Sequence, residues 1–254
     1  MAIPKKIHYV WVGNQPIPAA DQAYIDGWQK LNPNFEIRRW SERDIDMVKY
    51  PIVAKAIVEK RWALAADVIR MYVLYHEGGI YLDTDIELLK PLTPLLRYKA
   101  FAGWESKFWF TTAVIGAEKH SPWIEKILKR YELANPKERI TTTTFLKTVH
   151  SPSVYAKDIF GLKLDGKTRV YGENEFATFA TEYFCPKHYL TGEEHVTDNT
   201  IAFHHYASTW HTRSEAAKTF ITRKSYQTLG PKKFQVLERE YSKDLERKIR
   251  RELP

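Results

Sequence analysis

Apolar residues recur along the chain with two different spacings, which divide it into strands and helices. Short apolar or alternating runs predict strands at 7–12, 35–40, 80–85, 100–104, 113–117 and 200–206. Apolar residues three and four apart predict helices at 21–31 and 62–75, and further helices begin near 41, 121 and 141. Residues 150–200 are expected to be irregular. Strands that alternate with helices are typical of a mainly parallel sheet covered on both faces, so we expect an α/β fold.

The strand at 80–85 ends in two aspartates, within the sequence Gly-Gly-Ile-Tyr-Leu-Asp-Thr-Asp. Alternate side chains of an extended segment share a face, which predicts that Tyr81, Asp83 and Asp85 point the same way. Two carboxylates about 7 Å apart repel each other unless a cation lies nearby. Their oxygens suit Mg²⁺ or Mn²⁺, ions that also bind substrate phosphates. The motif favours a metal site that holds a nucleotide-sugar diphosphate, with a pair of solvated carboxylates as the alternative.

The helix at 62–75 leads directly into this strand. Asp67 and Arg70 are three residues apart and therefore share one face of the helix. Gly78 and Gly79 are expected to end the helix before the strand begins. Two interpretations of Asp67 and Arg70 stay open, an ordinary intrahelical ion pair and a pair of ligand-binding residues.

Four blocks of sequence resemble glycosyltransferase family 32 and occur in the family's order. They are the opening strand at 3–11, the helix and Asp-x-Asp strand at 63–85, a Glu-Tyr-Phe-Cys-Pro-Lys block with Thr-Gly-Glu at 182–193, and a closing His-His-Tyr block at 204–210. That family includes bacterial capsular and exopolysaccharide transferases and is related to the glucosylating domain of large clostridial toxins. The resemblance implies the GT-A nucleotide-sugar transferase fold, with a catalytic domain at 1–212 and a basic helical tail at 213–254.

The resemblance also implies roles for the residues around the motif. Asp85 contacts the metal directly, while Asp83 holds ribose and sugar hydroxyls or reaches the ion through water. Asp67 binds hydroxyls of the donor sugar, and Arg70 binds the sugar or a phosphate. A third metal ligand comes from the closing block, where His204 is preferred over His205.

Further residues are implied to bind the nucleotide. Val10 and Trp11 follow the first strand, where Trp11 stacks on the base, and Tyr81 packs on the ribose; a position in the core is the alternative for Trp11 and Tyr81. In the closing block, Ser208 binds the ion or the β-phosphate, and Trp210 lies over the diphosphate and the leaving group. The residues expected to carry catalysis are Asp67, Arg70, Asp83, Asp85 and Trp210.

The chain departs from the family pattern at three places. Ala66 replaces a Ser before the helix aspartate, and Thr209 replaces the Ser that normally precedes Trp210. The central block at 110–117 lacks the Asn that contributes to the sugar pocket of relatives. The identity of the donor sugar therefore stays open.

Together these features predict a retaining, metal-dependent glycosyltransferase that uses Mn²⁺ or Mg²⁺ and a nucleotide-diphosphate sugar, most simply a UDP-sugar. A lipid-linked saccharide in capsule or exopolysaccharide synthesis is the expected acceptor. Two other classes place Asp-x-Asp in similar settings. A phosphatase would use the first aspartate as its nucleophile, but the motif lies too late in the chain for that class and no convincing acidic pair follows it. A calcium-binding module would need a loop glycine and a twelfth-position glutamate that are absent.

Charge and cysteine content bear on the setting of the protein. The net charge is +8, and 213–254 hold twelve Lys or Arg against six Asp or Glu, a net charge of +6. No nucleic-acid recognition motif accompanies this tail, so an anionic membrane surface is the expected partner. The single cysteine, Cys185, excludes an internal disulfide and indicates a reducing cytoplasm. No signal peptide or membrane-spanning run is visible, which suggests a cytoplasmic protein, peripheral at the inner membrane face.

The tail itself predicts an amphipathic helix after a break at Leu229-Gly230-Pro231. Its apolar stripe consists of Phe234, Leu237, Tyr241, Leu245 and Ile249. Two interpretations of this stripe stay open, contact with lipid and packing on the catalytic body.

Overall fold

The structure, a computed structural model, describes residues 2–13, 15–135, 137, 139–207 and 213–251, without the side chains of 142, 145 and 213–219. The strands of the described residues are β1 (Lys6–Val10), β2 (Glu36–Trp40), β3 (Gly79–Leu82), β4 (Ile86–Leu88), β5 (Ala100–Trp104), β6 (Phe110–Ala117), β7 (Arg169–Tyr171), β8 (Phe176–Phe179) and β9 (Ala202–His204). The helices are α1 (Ala19–Leu31), α2 (Pro51–Val58), α3 (Trp62–Glu77), α4 (Pro122–Glu132), α5 (Thr142–Phe160), α6 (Thr181–Phe184) and α7 (Arg213–Arg251).

A central sheet of seven strands has the order β2-β1-β3-β6-β5-β8-β7, and β4 pairs with β9 in a separate small sheet. Strand β1 is parallel to both β2 and β3, and β5 is parallel to β8, whereas β6 and β7 run against their neighbours. The carboxyl ends of β2, β1, β3, β5 and β8 therefore lie along one edge of the sheet. In such sheets ligands bind beyond that edge. The prediction of an α/β fold with a mainly parallel sheet is confirmed.

The turn between α3 and β3 is fixed by two glycines and a buried histidine. Gly78 and Gly79 have positive φ angles of 64° and 115°, and a Cβ on Gly79 would lie 2.8 Å from the carbonyl oxygen of Lys6. His8 on β1 donates from Nε2 to the carbonyl oxygen of Gly78 at 2.8 Å, and its Nδ1 accepts from the indole of Trp40 at 3.1 Å. Strand β3 thus enters the sheet at one defined register.

His8 makes the fold sensitive to acid. Burial lowers its pKa from 6.5 to about 4, so the unfolded chain binds this proton more readily than the folded one. Stability that is present above pH 6.5 is lost as the pH falls toward 4, by about 2–3 kcal/mol for this group. His8→Gln keeps the donor to Gly78 but has no titrating group there. Between pH 7 and pH 4.5 we expect its free energy of unfolding to fall by about 2–3 kcal/mol less than that of the wild type. Urea titrations at both pH values measure it, and equal losses in the two proteins would contradict the assignment.

The expectation of an irregular 150–200 region is wrong up to 184 and confirmed for 185–200, where no helix or named strand occurs among these described residues. Helix α5 continues to Phe160 although it contains Pro152, because the Ser151 hydroxyl donates to the Thr148 carbonyl, the one that Pro152 leaves without its helical N–H. All four residues of β8 are buried because helices cover both faces of the strand: Phe176 contacts α4 and α5, and Phe179 contacts α6. No alternation therefore marks this strand in the sequence. Helix α2 was not predicted, and the helix expected near 41 is a single 3-10 turn capped by Ser41.

The tail is a helix with a sharp bend at Gly230, where φ is 74°, as the predicted break requires. Three residues of the apolar stripe are buried, Phe234, Leu245 and Ile249, while Leu237 and Tyr241 are exposed. Lys157–Glu246 and Arg250–Asp158 ion pairs at 2.8 and 2.6 Å join α7 to α5. Most of the stripe therefore packs on the rest of the fold, while Leu237 and Tyr241 stay exposed, and contact of the tail with an anionic membrane stays a prediction. Within the described ranges, none of the helices is both long and apolar enough to cross a bilayer.

Candidate active site

The two aspartates lie in a turn rather than on an extended strand. Strand β3 ends at Leu82, and the amide of Ile86 donates to the carbonyl of Asp83 at 3.1 Å, which closes the turn before β4. Thr84 between them donates its hydroxyl to the buried carboxylate of Asp21 on α1, at 2.7 Å. The predicted extended geometry of Tyr81, Asp83 and Asp85 is therefore wrong. The turn brings the carboxylates closer together than a strand would.

The structure brings Asp83, Asp85 and His204 together. One ligand atom from each lies within 4.8 Å of the other two. His204 reaches this position because β9 pairs with β4 in antiparallel register, with His204 opposite Ile86. His205 points elsewhere: its Nε2 lies 2.9 Å from Glu87, and its ring stacks on Tyr24 at 4.7 Å. Of the two histidines, His204 is the one that faces the aspartates.

Hydrogen bonds hold one oxygen of each aspartate. Oδ1 of Asp83 accepts from Arg70 and from the Tyr81 hydroxyl, each at 2.8 Å. Oδ2 of Asp85 accepts from the amide of Ala207 at 2.8 Å. The remaining oxygens are Oδ2 of Asp83 and Oδ1 of Asp85, and the latter lies 3.5 Å from His204 Nε2. That distance is too long for a good hydrogen bond but suits two ligands of one ion.

The electrostatics of the cluster favour positive charge. Burial disfavours charge on both Asp85 and His204, yet their mutual contact, with Cys185 beside His204, outweighs it, so the pKa of Asp85 is lowered and that of His204 is raised well above 6.5. A metal ion at Nε2 of His204 would have to displace the proton that this contact favours. The side chains remain partly accessible, at 29% for Asp83, 15% for Asp85 and 12% for His204. Two carboxylates and one imidazole form a donor set that fits Mn²⁺.

Asp67 and Arg70 lie behind the cluster, almost completely buried. Arg70 donates to the Thr112 carbonyl at 2.6 Å and to Asp83 at 2.8 Å, and lies 3.2 Å from Oδ1 of Asp67. Oδ2 of Asp67 is buried without a hydrogen-bond partner among the described residues. Burial raises the Asp67 pKa to about 6. This acceptor lies beside Asp83, but it has almost no accessible surface, so the predicted contact with a sugar hydroxyl requires its neighbours to move.

The predicted nucleotide residues are more buried than their roles require. Trp11 is 3% exposed and donates from its indole to the Gln15 carbonyl at 2.8 Å, so a base can stack on it only after its neighbours move. Val10 is 3% exposed, which leaves only its backbone for ligand contact. Tyr81 is 1% exposed and holds Asp83, so it supports the cluster and does not pack on a ribose. Ser208 and Trp210 lie outside the described residues.

An open cavity of about 570 Å³ lies at the ends of β1 and β2. It is lined by segments that follow β1 and β2, at 13–16 and 39–44, of which residue 14 is not described. Because β1 lies between β2 and β3, this cavity is at the same sheet edge as the aspartates. Its volume is in the range of small-molecule sites. Sequence reasoning missed it because its walls come from two separate loops.

His204 and His205 allow a matched test of the metal centre. We expect His204→Ala to weaken Mn²⁺ binding at least tenfold, because one of three protein ligands is lost. His205→Ala should leave Mn²⁺ binding within about twofold, although it removes the neighbouring imidazole. Isothermal titration of both variants with MnCl₂ measures the difference. Reversed severities would assign the ligand to His205, and two unchanged affinities would remove histidine from the site.

Comparisons with known proteins agree with this geometry. The family model of the glycosyltransferase sugar-binding region containing the DXD motif matches residues 18–102. Inositol phosphoceramide mannosyltransferase 3 of Schizosaccharomyces pombe is 32% identical over 136 residues, 50% of this chain and 37% of that protein. An uncharacterized glycosyltransferase of Acanthamoeba polyphaga mimivirus is 30% identical over 156 residues, 57% of this chain and 62% of that protein. This chain therefore spans less than two thirds of the length of these relatives.

A solved structure supports the fold. The PaToxG glycosyltransferase superposes with a TM-score of 0.50 at 20% identity, over 63% of this chain and 71% of that one. The GT-A type of fold expected from the sequence is thereby confirmed. The chain carries the DXD sugar-binding region of glycosyltransferases, and the resemblance to that group of enzymes is confirmed.

Proposed function

We propose that this chain is a metal-dependent glycosyltransferase that moves a sugar from a nucleotide-diphosphate donor to a hydroxyl of its acceptor. The observation that carries the proposal is the cluster of Asp83, Asp85 and His204 at the sheet edge where ligands bind. Asp83, Asp85 and His204 would hold Mn²⁺ or Mg²⁺. When bound, the ion supplies positive charge for the departing diphosphate.

The protein's own residues would position the donor. Arg70 keeps the Asp83 carboxylate in place through Oδ1, which leaves Oδ2 for the ligand. The unmatched Oδ2 of Asp67 would accept a hydrogen bond from a donor-sugar hydroxyl. The cavity after β1 and β2 has room for the base and ribose, on the β1 side of the metal centre. Retention of configuration is proposed from the resemblance to family 32.

The chemical identities of the donor and of the acceptor are two more specific proposals. We propose a UDP-sugar as donor, by resemblance to the family. The relative from S. pombe is named as a mannosyltransferase of a lipid that carries inositol, which supports a lipid-linked polyol or saccharide acceptor and does not point specifically to capsule synthesis. The domain division at 212 and a cytoplasmic location stay predictions.

A screen of nucleotide sugars by thermal shift tests the proposal. We expect one UDP-sugar to raise the melting temperature in MnCl₂ and to have no effect in EDTA, because the diphosphate binds through the ion. GDP-sugars belong in the same screen, since the name of the S. pombe relative specifies a mannosyl product but no nucleotide. Asp85→Asn is the control and should show no shift. Equal shifts with and without the metal would contradict a metal-dependent donor site.

A further inference from the structure

A carboxylate lies at the same sheet edge as the metal centre, on the side away from the proposed nucleotide cavity. Strand β5 ends at Trp104 and Glu105 follows it directly. The order β2-β1-β3-β6-β5-β8-β7 puts the end of β2 two strands from β3 in one direction and the end of β5 two strands from β3 in the other. At about 4.8 Å per strand, Glu105 lies about 10 Å along the edge from the Asp83 strand.

The side chain of Glu105 is directed toward the metal centre. Its carboxylate accepts hydrogen bonds from Tyr206 and Trp109, and it lies within electrostatic range of His204 and Asp83. Its backbone amide donates to the Trp109 carbonyl at 3.1 Å, so the turn after β5 has a defined shape. The residue as a whole is partly exposed, and a carboxylate has more acceptor positions than the two that Tyr206 and Trp109 use.

Tyr206 links Glu105 to the metal centre and is itself held in an unusual conformation. Its φ angle is 54°, in the left-handed region that a bulky residue seldom adopts. Its ring lies 3.9 Å from that of His204, centroid to centroid. Backbone strain of this kind persists where the surroundings determine the conformation. Tyr206 thus keeps the Glu105 carboxylate and the His204 imidazole in a fixed relation.

The tail helix forms the far boundary of this region. Glu238 on α7 accepts from the Tyr189 hydroxyl at 3.4 Å and lies within electrostatic range of Glu105. Lys107, in the turn after β5, reaches Gln235 of α7 at 3.5 Å. The space near Glu105 is therefore bounded by the metal centre on one side and α7 on the other, and its polar groups include the carboxylates of Glu105 and Glu238 as well as Lys107 and Gln235.

We propose that Glu105 binds the acceptor, by accepting a hydrogen bond from a hydroxyl of an uncharged polyol or saccharide ring. This inference rests on the proposed function, because it requires a donor sugar at Asp67 and Asp83. The donor would occupy the β1 side of the metal centre, so the acceptor must approach its sugar from another side, and the β5 side presents Glu105, a partly exposed residue whose carboxylate has acceptor positions to spare. A carboxylate binds hydroxyl donors well and would repel an anionic group at this point.

Donor hydrolysis and transfer separate this role from a structural one. The probes are a UDP-sugar identified by the donor screen and a panel of myo-inositol and methyl glycosides as acceptors, with MnCl₂ present. For Glu105→Gln we expect hydrolysis of the donor to stay within about twofold, while kcat/KM for the acceptor falls about 10- to 100-fold, as expected for loss of a charge-assisted hydrogen bond. Tyr206→Phe, which removes one hydrogen bond to Glu105, should give a smaller loss of the same kind.

Glu175→Gln is the matched control. Glu175 pairs with Lys99 at the opposite end of β5, so its loss should leave both hydrolysis and transfer unchanged. Melting temperatures establish that each variant is folded. Unchanged transfer by Glu105→Gln, an equal fall in hydrolysis and transfer, or no transfer to any panel member by a wild-type protein that hydrolyses the donor would overturn the proposal. Absence of hydrolysis of every donor by the wild-type protein would instead overturn the proposed function.

Discussion

Asp85→Asn is expected to abolish Mn²⁺ binding and to lower the rate of sugar transfer about 10³-fold or more, while the protein remains folded. Asparagine keeps the shape of the side chain and can still accept from the Ala207 amide, so the turn at 83–85 is preserved. It removes the negative charge that lies 3.5 Å from His204 and that an ion at the cluster requires. Loss of the ion removes several kcal/mol of stabilisation of the leaving diphosphate, and each 1.4 kcal/mol is a factor of ten.

The measurement pairs a transfer assay with a MnCl₂ titration and a thermal melt. Asp26→Asn is the control, because Asp26 is an exposed aspartate of α1 that accepts from Gln22 on the same helix. That variant should bind Mn²⁺ and transfer sugar as the wild type does. Wild-type activity in folded Asp85→Asn would remove Asp85 from the site.

Arg70→Met is expected to lower the free energy of unfolding by about 3–5 kcal/mol, the largest effect on stability that the site predicts. Arg70 is 4% exposed and contacts Asp67, Asp83 and the Thr112 carbonyl. Methionine fills much of the same volume but leaves the Asp67 carboxylate and a main-chain carbonyl buried without their donor. Urea denaturation at pH 7.5 measures the loss.

Asp67→Asn is the matched comparison for Arg70→Met. Burial already disfavours the charge of Asp67, whose pKa is raised to about 6, so ionising it at pH 7.5 costs the folded state free energy. The stability that the raised pKa of Asp67 contributes is present below pH 3.8 and is lost as the pH rises through 6. We therefore expect Asp67→Asn to change stability at pH 7.5 by less than about 1 kcal/mol. A loss below about 1 kcal/mol for Arg70→Met would show that Arg70 does not neutralise the buried Asp67 carboxylate.

Local signals in the sequence predicted the elements that carry the site. The spacing in α3 and the two glycines after it predict a helix followed by a strand, and the positive φ angles of Gly78 and Gly79 match that reading. Helix α4 begins at Pro122, as predicted, and its apolar residues are buried at the three- and four-residue spacing of Trp123, Ile124, Ile127, Leu128 and Tyr131. These elements were predictable because their signals come from residues near each other in sequence.

Elements whose stability comes from distant partners were missed. Strand β8 forms because β5 and β7 flank it, and no feature of 176–179 alone marks it as a strand. Pro152 argues against a helix at that position, and the structure accepts it through the Ser151 hydroxyl. The stripe on α7 could pack on lipid or on protein with equal local plausibility, and only the contacts of α7 with α5 show that most of it packs on protein.

The sequence predicted which side chains form the candidate metal site, but it did not predict all of the geometry that brings them together. Asp83, Asp85 and His204 do come together, although by a turn and a two-stranded sheet that the sequence did not predict. The burial of Trp11 and Tyr81 depends on packing that periodicity does not report. Glu105 carried one usable signal, a charged residue directly after a strand of the same sheet, but the position of that strand relative to β3 had to be known first.

Release of UDP from a UDP-sugar tests the central claim most directly. The account predicts that well-dialysed protein releases UDP in MnCl₂, that EDTA stops the release, and that Asp85→Asn does not release it under either condition. A phosphatase would instead release phosphate from a simple ester. Its nucleophile would be the first aspartate, Asp83, whose Oδ1 accepts two hydrogen bonds in this structure. Full turnover of the donor in excess EDTA, or phosphate release without UDP release, would contradict a metal-dependent glycosyltransferase.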